Sequence, residues 1–128
     1  MQKIVPIETP MGFLKGRDSI FLDSLTDDGI SLTLKGGIIN AATAPQEERP
    51  YTLSFRGCIA YFSCELDTYF NLSKEYSDSS FSLIKNSKWL KKLPIRKDFP
   101  KSMYKHYRVY TYDVIYDIIA TDHELKLE

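Results

Sequence analysis

Ile30-Ser31-Leu32-Thr33-Leu34 alternates apolar and polar side chains, and the apolar run Ile20-Phe21-Leu22 precedes it across Thr26-Asp27-Asp28-Gly29. An Asp-Gly step favours a turn with positive φ, so this pattern predicts a β-hairpin. Gly36-Gly37 predicts a break or bulge in its second strand. Ahead of the hairpin, Ile4 and Val5 open a short strand that Pro6 ends. Tyr51-Thr52-Leu53-Ser54-Phe55 again alternates with period two, the mark of a half-buried strand. Beyond Arg56-Gly57 the phase is mixed. Cys58, Ala60, Phe62 and Cys64 fall on one side, Ile59 and Tyr61 on the other. Two explanations stay open, a bulge at Gly57 or a strand buried on both faces, with Glu65-Leu66-Asp67 as its end.

Residues 40–50 are the most loop-like stretch, and the polar residues 71–80 read as a second loop. A short extended piece follows at 81–84. Asn86 or Ser87 can then cap a helix over 88–93, which Pro94 stops. At helical spacing Trp89, Leu90 and Leu93 share one face, and Lys88, Lys91 and Lys92 the other. Two turns do not persist alone, so the packing of Trp89 must hold this helix. In the last third Tyr110, Tyr112, Val114, Tyr116, Ile118 and Ala120 alternate with Thr111, Asp113 and Asp117. Val114 and Ile118 also lie four apart, so strand or helix stays open over 114–119. β-Branched and aromatic enrichment favours two strands meeting near Tyr112-Asp113. The expected fold class is α+β: a mainly antiparallel, strongly curved β-sheet with one or two short helices, in a single domain over 1–128.

The chain has 128 residues, 43% of them hydrophobic and 27% charged, which is ordinary globular composition. No window approaches the ~20 apolar residues of a membrane span, and the first residues lack a signal-peptide core. A cytoplasmic protein without a membrane association is therefore expected. Cys58 and Cys64, six apart on one extended run, would lie ~20 Å apart, too far for a disulfide. They read as reduced core thiols.

Candidate chemistry is sparse. There is no phosphate loop, nucleophile elbow, dinucleotide fingerprint or His-Glu-x-x-His. A Cys64–His106 pair would need the two side chains to meet in space. Asp23, Asp27 and Asp28 miss the spacing of a calcium loop and suit turns and caps better. Glu65 with Asp67 can present two carboxylates, though a solvated strand end accounts for them better. No catalytic residue, metal or cofactor is assigned.

Charge changes the picture. The chain is neutral, with 17 basic and 17 acidic residues. Residues 85–108 nevertheless carry nine basic groups (Lys85, Lys88, Lys91, Lys92, Arg96, Lys97, Lys101, Lys105, Arg108) against Asp98, a net +8. Net charges of −4 flank the block on each side. Interleaved with Trp89, Phe99, Tyr104 and Tyr107, it can bind single-stranded nucleic acid by phosphate contact and stacking. It can instead dock an acidic protein. The plainest reading is a solvated face whose lysines pair with the acidic segment that follows.

The stretch Phe81-Ser82-Leu83-Ile84-Lys85-Asn86-Ser87-Lys88-Trp89-Leu90, with Lys105-His106-Tyr107-Arg108-Val109-Tyr110-Thr111-Tyr112-Asp113 and Ile118-Ile119-Ala120, resembles small uncharacterised bacterial cytosolic domains. Some of these are similar to immunity proteins, which neutralise the toxins of contact-delivered systems. The likeness spans residues 51–127 and supplies no catalytic or binding residue. It implies that Trp89 and His106 are structural anchors, with Trp89 holding the short helix on the sheet and the His106 imidazole bonded to backbone. Immunity proteins against nucleases tend to be acidic, so the basic block implies a different kind of target.

The expected function is a small cytosolic protein-interaction module without catalysis, of immunity type. Its partner is a protein, with an acidic surface, met by Lys88, Lys91, Lys92, Arg96, Lys97 and Lys101. The alternatives are a nucleic-acid-associated domain using 85–108 and a small enzyme with an unrecognised site. Oligomeric state is left open, since an exposed edge of an aromatic sheet can pair with itself.

Overall fold

A computed structural model describes residues 1–39, 47–72 and 77–128. In chain order the strands are β1 (Lys3–Pro6), β2 (Glu8–Thr9), β3 (Gly12–Phe13), β4 (Ile20–Asp27), β5 (Ser31–Ile38), β6 (Arg49–Arg56) and β7 (Ala60–Glu65). Helix α1 (Leu66–Leu72) leads to β8 (Phe81–Lys85), and α2 (Lys88–Lys92) to a 3-10 turn (Lys101–Met103). The chain continues through β9 (Lys105–Tyr110), β10 (Val114–Ala120) and β11 (Asp122–Leu127).

Two antiparallel sheets hold these strands, ordered β1-β8-β9-β10-β7 and β11-β6-β5-β4, with β2 and β3 forming a small ladder of their own. Their inner faces share one core. Leu32, Leu34, Leu53 and Phe55 from one sheet meet Phe81, Tyr107, Val109 and Ile118 from the other, all essentially inaccessible to water. The Phe55 ring sits 5.1 Å from that of Tyr107 and edge-on to Phe81 at 6.3 Å, joining the sheets through aromatic contacts.

The expected α+β class and single curved sheet are corrected here. Among the described residues strand makes up 56% and helix 11%, and neither sheet closes on itself, so the fold is mostly all-β. The mixed phase beyond Arg56 has a different cause from either explanation considered. Gly57, at φ +61°, is a corner where the chain leaves one sheet for the other. A Cβ there would also lie 2.8 Å from the Thr121 side chain, which marks the adjacent crossing from β10 to β11. Thr121 donates through both its N–H and its hydroxyl to the Arg56 carbonyl, so the two crossings brace each other. β7 is consequently an edge strand, not one buried on both faces.

The hairpin of β4 and β5 forms as expected. Asp27 and Asp28 accept backbone N–H groups of Gly29, Ile30 and Ser31 in its turn. Gly36-Gly37 runs through β5 unbroken, and the irregularity falls on the facing strand between Leu22 and Ser24. A Cβ on Gly36 would collide with the Phe21 carbonyl oxygen at 1.9 Å, so backbone takes the space of a side chain. Residues 114–119 are strand. The loop expected over 40–50 falls largely outside the described residues. The one expected over 71–80 begins inside α1, and its residues 73–76 are also outside them.

Candidate functional site

The outer face of the five-stranded sheet carries a buried polar row. Register sets Ser82 opposite Arg108, Arg108 opposite Asp117, and Asp117 opposite Phe62. His106, two residues from Arg108 on the same face, lies opposite Ile84 and Ile119. Tyr69 on α1 covers the row from one side, with the Arg108 guanidinium 5.3 Å from its ring. Trp89 on α2 closes it from the other, edge-on to the His106 ring at 5.4 Å. Between these covers a cleft of about 400 Å³ opens over His106, Arg108 and Asp117, rimmed by Phe62, Lys88 and Trp89.

Asp117 is the centre of this cluster. Its carboxylate accepts from His106 Nε2 at 2.6 Å and from Arg108 Nε at 2.8 Å, and Tyr69 hydrogen-bonds to it as well. Burial pushes the Asp117 carboxyl up, but the His106 bond and the Arg108 charge outweigh it, and the net shift is downward. The other His106 nitrogen, Nδ1, lies 2.7 Å from Ser87 Oγ. Ser87 Oγ accepts the Leu90 N–H as the N-cap of α2. Its hydroxyl proton is thus free to donate to Nδ1, leaving the proton on Nε2 to reach Asp117. The His106 imidazole is held by two side chains, Ser87 and Asp117, and not by backbone as expected.

The order Ser87, His106, Asp117 has the composition of a nucleophilic triad. Its serine is committed to capping and is 4% exposed, so it presents no attacking oxygen to solvent. Cys64 and His106 are not brought together, since Cys64 lies beside Ile115 and His106 beside Ile119. Both cysteines are free, and burial pushes the Cys58 thiol up, away from reactivity. Glu65 caps α1, accepting N–H groups of Asp67 and Thr68, which explains the strand-end carboxylates. Among the described residues no three His, Cys, Asp or Glu side chains are grouped to hold a metal.

The basic block folds onto α2 and the segment joining it to β9. Lys85, Lys88, Lys91, Lys92, Arg96, Lys97, Lys101 and Lys105 are exposed, whereas Arg108 is buried in the row above. Among the described residues the lysines of this block do not pair with the acidic C-terminal segment. Asp113 meets Arg17, Asp117 meets Arg108, Asp122 meets Arg56, and Glu124 meets Arg56 and Lys126. Arg96 is taken by Asp98. Among the described residues none of the seven lysines in 85–105 has a carboxylate within ion-pair distance. Lys85, Lys91, Lys101 and Lys105 surround a hollow of about 430 Å³ floored by Ile84, Leu90 and Tyr104. Lys101 donates to the Lys91 carbonyl at 2.6 Å, tying the 3-10 turn to α2.

Comparison with family models, with curated proteins and with solved structures gives no match for this chain. Among the described residues no helix is long and apolar enough to cross a membrane.

Proposed function

We propose that this protein is a non-catalytic binding module that docks an acidic protein surface on the lysine face of residues 85–105. The observation that carries this reading is the matching of charges. Asp113, Asp117, Asp122 and Glu124 of the C-terminal segment are taken by arginines and Lys126, and seven exposed lysines in 85–105 are left without a carboxylate among the described residues, four of them around one hollow. Such a field speeds and orients encounter with an oppositely charged partner. An immunity role, with a toxin as the acidic partner, is the form suggested by the sequence resemblance.

The nucleic-acid reading keeps only Trp89 and Phe99 of its stacking aromatics, and both are already engaged. Of the four aromatics interleaved with the lysines, Tyr104 and Tyr107 are buried. The Trp89 ring is turned edge-on to His106, and Phe99 lies under the Arg96 guanidinium at 5.4 Å. Affinity capture from the native host, repeated with Lys91→Glu/Lys92→Glu protein, tests the proposal. An acidic protein retained by the native chain, released by salt and lost in the variant is expected. Retention of single-stranded nucleic acid, or of a protein that binds the variant equally well, would overturn it.

A further inference from the structure

The two larger sheets have four edges, and three are guarded against pairing. β1 is short and carries Lys3 and Pro6. β4 has Asp27 and an irregularity at Asp23. β11 carries Asp122, Glu124 and Lys126 within six residues. β7 differs. From Ala60 to Cys64 it has no charge, no proline and an unbroken register with β10. Tyr61 and Phe62 are 39% and 48% exposed, and Ile59 just before them 44%. An unbroken, uncharged, aromatic edge is the kind that proteins avoid leaving bare.

The backbone of this edge is oriented. Leu66 N–H donates to the Asp113 carbonyl, with these residues extending the β7–β10 register. Antiparallel strands alternate, so Cys64 and Phe62 direct their N–H and C=O groups to β10. Tyr61 and Ser63 direct theirs to the open edge.

We propose that β7 pairs antiparallel with β7 of a second copy about a two-fold axis at Phe62, joining two sheets into one. In that register Tyr61 and Ser63 of the second copy form a hydrogen-bonded pair. Phe62 faces Phe62 across the axis in the closer, non-hydrogen-bonded position, where aromatic pairs gain most. Glu65 falls opposite Ile59, so the only charge on the strand meets no like charge. A second copy is the occupant because the segment complements itself: it has no charge calling for an opposite one, and the alternation suits an isologous contact. The axis stands perpendicular to the sheet, so both outer faces, each with its α2 lysines, stay on the same side. This dimer stands independently of what the lysine face binds.

Sedimentation velocity over a concentration series, with amide exchange read residue by residue, tests the proposal. The native chain is expected to form a dimer that dissociates on dilution, with Tyr61 and Ser63 amides slowed by about tenfold or more in the dimer. Ser63→Pro is expected to be monomeric with an unchanged melting temperature, because it removes only an N–H directed to the open edge. A native chain that is monomeric at every concentration overturns the proposal. So does a dimer that protects β1, β4 or β11 amides instead, or one that persists in the folded Ser63→Pro protein.

Discussion

His106 Nε2 lies 2.6 Å from Asp117 Oδ1, and through Ser87 the same ring reaches the cap of α2. One imidazole thereby connects the buried carboxylate of β10 to the helix carrying three of the seven exposed lysines. Asp117→Asn keeps the shape but takes the Asp117 charge away from the buried Arg108 guanidinium. It is expected to cost about 3–5 kcal/mol in urea unfolding, the usual loss when one partner of a buried pair is removed. A cost below about 1 kcal/mol would mean that water reaches this row freely.

Ser87→Ala removes both the cap and the His106 contact. The cap alone is worth about 1 kcal/mol, and His106 Nδ1 adds the loss of a buried hydrogen bond. Trp89 is the only tryptophan in the chain, so its emission reports directly on α2. A red shift in folded Ser87→Ala is expected as the indole leaves His106. Unchanged emission would show that Trp89 packing holds the helix without its cap.

His123 gives stability a dependence on mild acid. Its ring lies edge-on to Phe81 and Tyr107, at 5.2 and 5.1 Å. Burial, then the Lys105 charge, lowers its pKa from the ordinary 6.5, against the opposing pull of Asp122. The folded state holds the proton less tightly than the unfolded one, so stability falls as pH drops below about 6.5 and levels off under the folded value. Unfolding free energies measured from pH 7.5 to about 5 should show this slope in the native chain and not in His123→Leu. An equal slope in both would assign it to other groups.

Gly36→Ala is the severest single-methyl change expected. Its Cβ would fall on the Phe21 carbonyl oxygen, with backbone and not a flexible side chain as the obstacle. Strain of this kind costs several kcal/mol, about 3 or more. A folded variant with unaltered melting temperature would show that the β4 irregularity yields.

Much of this fold is legible in local pattern. The β4–β5 hairpin, the alternation of β6, the Ser87 cap and the turn between β9 and β10 all follow from residues close together in sequence. What is illegible depends on which surfaces meet. Asp117 alternates with apolar neighbours and so reads as a solvent-facing position, yet α1 and α2 cover its face and it is buried. Once a turn at 111–113 is granted, strand parity alone places Arg108 opposite Asp117, a signal that periodicity within one strand does not contain. Gly57 reads as a bulge or as part of a strand buried on both faces, because nothing local distinguishes these from a passage between sheets. Helix α1 is hidden because Glu65, its cap, also reads as a charged strand end.

Strand order also dictates a sequence of events during folding. β4, β5 and β6 are consecutive hairpin neighbours and can assemble by local contacts, but β6 waits for β11, with Arg56 and Asp122 paired 66 residues apart. Until β8, β9 and β10 arrive, Leu32, Leu34, Leu53 and Phe55 have no opposing layer. This dominance of distant pairings places the chain among slow folders whose early species expose apolar surface. A nascent chain paused after β6 is therefore a ready client for a chaperone.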